Sequence, residues 1–253
     1  MFAISYDPQA GLREFAAKYG IAYPLLSDEG SAVIRELGVL DEDLTAHHAT
    51  FDIKTRDEQQ GVAYPMTFIL DGSGRVERKI VEPNYRLRQG GRLLFEQLTG
   101  AQPQGAPDAI EVRGRTAHVA LRAWLDSPTY FAYQRLGLHI ELTIDPGWHV
   151  YGPTTPSGYQ ALEITAASEP AGARLGPIPW PRPTDVRVQG LDEDFAVYEG
   201  SLDLVIPVEL IIARGSGDAR LDIAVRTQSC SATECQPPAS IGTSLVIPEA
   251  PTL

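Results

Sequence analysis

Apolar residues alternate strictly with other residue types in Leu136-Gly-Leu-His-Ile-Glu-Leu-Thr-Ile144, where every second residue is a branched apolar one. Successive side chains of a strand point to opposite faces of a sheet, so this stretch predicts a strand with one buried face. Shorter runs of the same kind lie between Gly and Pro residues at 117–125, 162–165, 202–210, 221–227 and 241–247. About seven strands at this spacing predict an all-β, antiparallel sandwich over residues 110–253.

Residues 1–99 follow a different pattern, in which helical and extended segments alternate. Apolar residues recur at helical spacing in three segments, at 8–19, 32–37 and 86–98. Extended runs at 66–70 and 75–80 flank a Gly-rich turn, which predicts a hairpin. This order of elements predicts an α/β domain. Residues 100–109 are rich in Gly, Pro and Gln, a composition typical of a linker between the two domains.

Charge and length exclude several classes of function. The 253 residues carry a net charge of −12, from 21 Lys and Arg against 33 Asp and Glu. An acidic chain repels phosphate backbones and anionic lipids, so we expect no nucleic-acid binding and no binding to a membrane surface. No apolar run approaches the roughly 20 residues of a spanning helix, so we expect no membrane insertion by this chain.

The first eight residues have neither a cationic n-region nor an apolar h-region. This predicts that the sequence carries no signal peptide. The strand-like pattern of these residues predicts that the sequence begins partway through a domain.

The chain has two cysteines, Cys230 and Cys235, which are too few for a disulfide-scaffolded mini-protein or a cysteine-only zinc site. A strand precedes them, Pro237 and Pro238 follow, and a four-residue loop would bring their Cα atoms opposite each other. A disulfide is therefore sterically reasonable. Glu234 precedes Cys235 directly, and a neighbouring carboxylate raises the pKa of a thiol and slows its attack.

Three interpretations of the cysteine pair remain open: reversible exchange, a structural disulfide, and two inert reduced thiols. Closing so short a loop stabilises a fold by roughly 2 kcal/mol, less than a long-range bridge does. A pair on an exposed loop suits exchange better, because exchange requires access to the sulfur. The spacing therefore favours exchange.

Other candidate residues have simpler explanations. His47 and His48 lie in a charged stretch, 41–60, that predicts an exposed insertion. A solvated loop is the favoured interpretation there, so we predict no metal site. Four aromatic residues could line a partner groove, but core packing is the commoner role; they are Trp148, Tyr151, Tyr159 and Trp180.

Three stretches in the first half carry a resemblance to a known family. They are Ala3–Pro8, Phe15–Asp28 and Val62–Gly72, and together they resemble a thioredoxin-fold, peroxiredoxin-like (AhpC/TSA) domain. The resemblance implies an incomplete thioredoxin-like domain over 1–99, with Pro65 as its cis-proline.

The resemblance implies that the reactive cysteine of that family lies in a segment upstream of Met1, and no cysteine occurs before Cys230. Peroxidase activity is therefore not expected of this chain. A thioredoxin-like sheet without its first strand would expose an edge, which predicts self-association through that edge.

Three stretches in the second half carry another resemblance. They are Asp145–Gly152, Val197–Pro207 and Cys230–Pro238, and they resemble the N-terminal, immunoglobulin-like domain of the bacterial thiol:disulfide interchange protein family DsbD. The resemblance implies an immunoglobulin-like sandwich over 110–253. It also implies thioredoxin-like redox partners, a periplasmic location and no cofactor.

The same resemblance implies roles for individual residues. Cys235 would form mixed disulfides with partner proteins and Cys230 would resolve them. Tyr151 and His149 stand at aromatic positions near the pair in that family. Gly190–Phe195 corresponds to a cap loop that shields the pair, which places Phe195 near it.

These observations predict a thiol:disulfide exchange protein of a bacterial envelope redox pathway. Two alternatives remain at this stage. One is a non-catalytic interaction module with a structural disulfide, and the other is a fragment of a thiol peroxidase or reductase whose catalytic cysteine lies upstream of Met1.

Overall fold

The computed structural model describes residues 1–50, 52–82, 86–100, 109–187 and 194–251. The chain divides into two compact units, Met1–Arg86 and Leu87–Pro251. β-Strands hold far more of the described residues than helices do. Within the described ranges, no helix combines the length and the apolar character that a membrane crossing requires.

The first unit contains three helices and four strands among its described residues. The helices are α1 (Gln9–Tyr19), α2 (Ala32–Glu36) and α3 (Leu44–Thr50). The strands are β1 (Ala3–Ser5), β2 (Leu25–Ser27), β3 (Met66–Leu70) and β4 (Val76–Val81). A single 3₁₀ turn covers Asp57–Gln59 in the described part of this unit.

The strands of the first unit form two separate ladders. β1 pairs in parallel with β2, and β3 pairs antiparallel with β4. The helix expected over 8–19 and the hairpin at 66–80 are confirmed. The exposed insertion expected at 41–60 is wrong in part, because α3 forms there and buries Leu44 and His48.

Pro65 is not a cis-proline. The cis peptide bond among the described residues is Glu169–Pro170, so the bond between Tyr64 and Pro65 is trans. The trans isomer is the more stable one for X-Pro, and backbone hydrogen bonds form on both sides of this bond with it. Tyr64 donates to the Val39 carbonyl, and the Pro65 carbonyl accepts from Glu82.

The second unit begins with a short strand, followed by a helix; the sequence predicted a helix over 86–98, as part of the first domain, and no strand there. β5 (Arg88–Gln89) pairs in parallel with the start of a long strand at Gln134, and α4 spans Gly91–Thr99. Gly90 joins them, and a Cβ there would lie 3.0 Å from the Arg135 carbonyl oxygen. The close approach of the two backbones therefore explains the glycine. The predicted linker, 100–109, falls mainly outside the described residues.

Twelve further strands lie in the described part of the second unit. They are β6 (Glu111–Arg115), β7 (Val119–Leu125), β8 (Gln134–Ile144), β9 (His149–Tyr151), β10 (Glu163–Glu169), β11 (Ala173–Leu175), β12 (Thr184–Arg187), β13 (Asp194–Glu199), β14 (Ser201–Leu210), β15 (Ala219–Thr227), β16 (Ser229–Cys230) and β17 (Ala239–Ile247). They form three sheets, ordered β11-β14-β8-β7-β6, β10-β15-β17 and β12-β13-β9-β16. All of these pairings are antiparallel.

The core packs the first two of these sheets together. Alternate residues of β7, β8 and β14 join alternate residues of β10, β15 and β17 in one continuous buried cluster. Leu138 is fully buried in it, paired with Leu125 on one side and Ile206 on the other. This arrangement confirms the alternation of apolar residues in β8, while the immunoglobulin-like topology stays a prediction.

His139 departs from the alternating pattern. It lies on the β8 face opposite the core, where solvent exposure is expected, yet it is buried. Its ring stacks on Trp124 of the neighbouring strand at 4.9 Å between ring centroids. Burial lowers the pKa of His139 to about 4, so the imidazole is neutral at pH 7.

Candidate functional site

Cys230 and Cys235 form a disulfide at the end of the sheet β12-β13-β9-β16. Their Cα atoms are 4.0 Å apart and the two residues face each other as an antiparallel bridge. The Ser231 N–H donates to the Glu234 carbonyl at 2.7 Å, which closes the loop between the cysteines. The pairing expected from the four-residue loop is confirmed.

The two sulfur-bearing residues differ in exposure. Cys230 belongs to β16, which pairs with β9, and only 1% of the residue is exposed. Cys235 follows the loop and is exposed to solvent. An incoming thiolate therefore reaches the Cys235 sulfur in preference to the buried Cys230 sulfur. This is the accessibility that a mixed disulfide at Cys235 requires.

The Tyr151 hydroxyl contacts both sulfur atoms. It donates a hydrogen bond to Cys230 Sγ at 3.2 Å and lies 3.8 Å from Cys235 Sγ. Burial raises the pKa of Tyr151, and the neighbouring Tyr159 raises it further. The hydroxyl therefore stays protonated at neutral pH and remains able to donate to sulfur.

An aromatic cluster surrounds the buried sulfur. The rings of Tyr151, Tyr159 and Phe195 lie 5.0–5.5 Å from one another, and Val197 packs beside them. Phe195 and Val197 come from β13, on the sheet face that also carries Tyr151 and Cys230. The cluster excludes water from Cys230 and leaves the other side of the disulfide open.

His149 occupies the position directly opposite Cys230. The two residues pair in the β9–β16 ladder, and His149 pairs with Glu199 in the β9–β13 ladder. The His149 ring meets the Tyr151 ring edge-on at 5.7 Å between centroids. Burial lowers the pKa of His149, and the charge of Glu199 opposes that effect.

Not all of the remaining residues predicted from the sequence lie near the disulfide. Glu234 is exposed on the loop between the cysteines, and its backbone carbonyl closes that loop. Pro65 belongs to the first unit. The segment proposed as a cap loop, Gly190–Phe195, falls outside the described residues up to 193, and its last residue, Phe195, lies in the cluster.

The histidines and tryptophans considered as further sites have local partners. His47 Nδ1 lies 2.8 Å from Asp41 Oδ1, and His48 Nδ1 lies 3.0 Å from Thr55 Oγ1. The part of the chain that the structure describes holds no group of three or more His, Cys, Asp or Glu arranged for a metal ion. Trp148 and Trp180 pack against the sandwich core.

Gln228 is a residue of the site that sequence reasoning missed. Its side chain accepts from the Gln160 N–H at 3.0 Å and donates to the Gln236 carbonyl at 3.1 Å. These two bonds join the chain before and after the disulfide loop to the segment that carries Tyr159. No sequence signal marks this role, because both partners are backbone atoms of other segments.

Two family models match separate parts of the chain. The model described as "Thiol:disulfide interchange protein DsbD, N-terminal" matches residues 123–245. The AhpC/TSA family model matches residues 1–79. A search of curated proteins finds no significant match.

The solved structures that match part of this chain include three that differ strongly from it in sequence. The N-terminal periplasmic domain of ScsB from Proteus mirabilis is 18% identical, with a TM-score of 0.37, over 57% of this chain and 49% of that one. The Neisseria meningitidis DsbD N-terminal domain in the reduced form is 13% identical, with a TM-score of 0.31, over 56% and 85%. The yeast GGA1 GAE domain is 13% identical, with a TM-score of 0.31, over 54% and 98%.

The alignment with ScsB thus spans about half the length of that chain. Taken together, the two family matches show that this chain joins a segment similar to the AhpC/TSA family to a segment similar to the N-terminal region of DsbD.

Proposed function

We propose that this chain exchanges its Cys230–Cys235 disulfide with the cysteine pairs of partner proteins. The observation that carries the proposal is the unequal exposure of the two cysteines across one short-range bond. The match of residues 123–245 to the DsbD N-terminal model supports it. A bond that served only to hold the loop would need no exposed sulfur.

The exchange proceeds in two balanced steps. A partner thiolate attacks Cys235 Sγ, the bond between the two cysteines breaks, and Cys230 leaves with the electron pair as a thiolate that then takes up a proton. The second thiol of the partner next attacks the mixed disulfide. The partner is thereby oxidised, and this chain is left as a dithiol. The reverse sequence reduces a partner, and neither direction needs a cofactor.

We place this exchange in the bacterial envelope, with thioredoxin-like redox proteins as the partners. The support for this placement is the similarity to DsbD, together with the chemistry of the site. Reversible disulfides persist in the oxidising periplasm. Alkylation of the cysteines in periplasmic extracts, with a reagent that shifts gel mobility, tests the location and shows both redox states if the protein cycles there.

Two single-cysteine variants test the exchange. The target is a thioredoxin-fold protein with one active-site cysteine, activated as its thionitrobenzoate disulfide. Cys230→Ser keeps the exposed Cys235, and we expect it to release thionitrobenzoate and form a stable mixed disulfide. Cys235→Ser keeps only the buried Cys230, and we expect a reaction about tenfold slower or more, because the sulfur is inaccessible. Equal rates for the two variants would contradict the assigned roles.

A structural disulfide in a non-catalytic interaction module is the second candidate. The observation in its favour is the packing of Cys230 within the aromatic cluster, where the bond also restrains β16. Equilibration of the full chain with glutathione buffers separates the two functions. A reduction potential below about −300 mV indicates a structural bond, and a more oxidising value indicates exchange.

A further inference from the structure

Three residues on three neighbouring strands form a row that ends at the buried sulfur. Glu199 of β13 pairs with His149 of β9, and His149 pairs with Cys230 of β16. Residues directly paired across antiparallel strands project from the same face, with Cβ atoms about 4.5–5.5 Å apart. The row therefore places an imidazole between an exposed carboxylate and Cys230, on the face that also carries Tyr151.

A second path links the imidazole to the sulfur. The His149 ring contacts the Tyr151 ring edge-on, and the Tyr151 hydroxyl donates to Cys230 Sγ at 3.2 Å. Among the described residues, the titratable groups that face His149 are Glu199 from β13, Tyr151 from its own strand and Cys230 from β16. Tyr159 lies one ring further away, against Tyr151.

Exchange creates a negative charge on the buried sulfur. When Cys235 is attacked, Cys230 becomes a thiolate on a residue that is 1% exposed. A buried and unpaired anion is costly unless a donor or a cation lies close to it. Tyr151 supplies the donor, and His149 is a group on the described part of this face that can supply the cation.

We propose that His149 takes up a proton when Cys230 leaves as a thiolate, so that reduction of the disulfide is coupled to protonation of His149. The proposal rests on the proposed function and adds a pH response to the same site. His149 acts as a positioning residue for the charge, while Tyr151 contacts the reacting sulfur directly.

Charges and protons balance in this step. The attacking thiolate forms the new bond to Cys235, and the electron pair of the broken bond stays on Cys230. A solvent proton enters the imidazole beside exposed Glu199, whose carboxylate then faces the imidazolium. The product is a thiolate–imidazolium pair, which is neutral overall and can become a neutral thiol and a neutral imidazole by proton transfer.

The direction of the pH response follows from the two redox states. In the disulfide form, burial lowers the pKa of His149, so the imidazole is neutral at pH 7. In the reduced form, the nearby thiolate attracts the proton and raises that pKa. The imidazolium therefore assists reduction at lower pH, and its assistance is lost as the pH rises through the His149 pKa of the reduced form.

The first test is reduction of the full chain by dithiothreitol between about pH 5 and pH 9, a range that spans histidine titration. The rate is expressed per dithiothreitol thiolate, which removes the titration of the reagent. We expect the wild-type rate to fall as the pH rises and the His149→Gln rate to stay flat. At the acid end the variant should be about tenfold slower, the equivalent of one pKa unit.

His118→Gln is the matched control. His118 is another histidine of the sandwich, with a partly exposed ring that stacks on Trp148 and faces Asp145. We expect its pH profile to match that of the wild type. Tyr151→Phe should be about tenfold slower at every pH, because it removes a hydrogen bond to a charged sulfur without removing the titrating group.

The second test uses the wild-type chain and so does not depend on how well a variant folds. Histidine ¹⁵N signals, assigned with His149→Gln, give the pKa of His149 in each redox state. We expect a value about one unit higher in the reduced form. Equal values in both forms, or a pH profile of His149→Gln identical to the wild type, overturn the proposal.

The outcomes also separate this inference from the proposed function. If the disulfide exchanges with thioredoxin-like proteins while the two His149 pKa values agree, the coupling fails and the exchange function stands. If dithiothreitol reduction shows the coupling but no such protein exchanges, the chemistry of the row stands and the proposed function fails.

Discussion

The two units of this chain bury their apolar side chains to different degrees. In the sandwich, Leu138 and Ile206 are fully buried because each sheet covers the other. In the first unit, Phe2, Phe15 and Val76 are all at least half exposed. The difference shows that a two-stranded ladder has too few neighbours to cover both of its faces, whereas two packed sheets supply the layer that each one needs.

Separating the units should produce the largest effect. We expect a fragment of residues 87–253 to unfold cooperatively, because its sheets share one continuous buried core. A fragment of residues 1–86 should either self-associate or show no cooperative transition, because its exposed apolar residues lack a covering surface. Calorimetry and sedimentation measure both properties. The contrast between the units breaks down if the smaller fragment is a monodisperse monomer with a sharp melting transition.

A matched pair of leucine substitutions sharpens the same contrast. Leu138→Ala removes a fully buried side chain from the sandwich core, and we expect it to lower the free energy of unfolding by about 2–5 kcal/mol. Leu12→Ala makes the same change on α1, which covers its leucine less completely, and about 1–2 kcal/mol is expected there. Urea unfolding of the full chain measures both losses. Equal losses would mean that the first unit packs as tightly as the sandwich.

A carboxyl group at the edge of the sandwich should give a pH-dependent effect. Burial raises the pKa of Asp126 from 3.8 to about 6, so folding disfavours the charged form. The destabilisation that the buried charge causes is absent below about pH 3.8 and reaches its full size above about pH 6. Asp126→Asn should therefore raise the free energy of unfolding by up to about 3 kcal/mol near pH 8 and leave it unchanged near pH 3.5.

Urea unfolding at the two pH values measures that difference. Asp203→Asn on the exposed part of β14 is the control, and it should change stability by about 0.5 kcal/mol or less at either pH. A gain from Asp126→Asn that is equal at both pH values would show that burial of charge is not its cause.

The smallest effect is expected on the loop that carries Cys235. Glu234→Gln changes an exposed residue, and the free energy of unfolding should move by about 0.5 kcal/mol or less. Removing the adjacent negative charge should speed alkylation of reduced Cys235 by about threefold or less, since solvent screens the pair. Iodoacetamide rates across pH measure this. A Cys235 thiol pKa well below the free value, with Glu234 present, would contradict the retarding role of this carboxylate.

Local sequence patterns predicted the disulfide but not the residues that surround it. The five-residue separation of the cysteines was enough to predict their pairing, because so short a loop leaves few geometries. The row of Glu199, His149 and Cys230 was not predictable, since it depends on the register of strands far apart in sequence. Helix α4 shows the same limit: its pattern indicated a buried face, and packing on β8 decided which unit it joined.

Neighbouring residues alone determine three features of this chain. They are the alternation of apolar residues in β8 and β14, the helix at 9–19, and the ability of the two cysteines to form a disulfide. Side-chain direction and loop closure are local properties. Which sulfur faces solvent, and which imidazole stands beside the buried one, were decided only when β9, β13 and β16 came together. Burial and cross-strand neighbours are properties of the assembled sheets, and the chemistry of this disulfide depends on both.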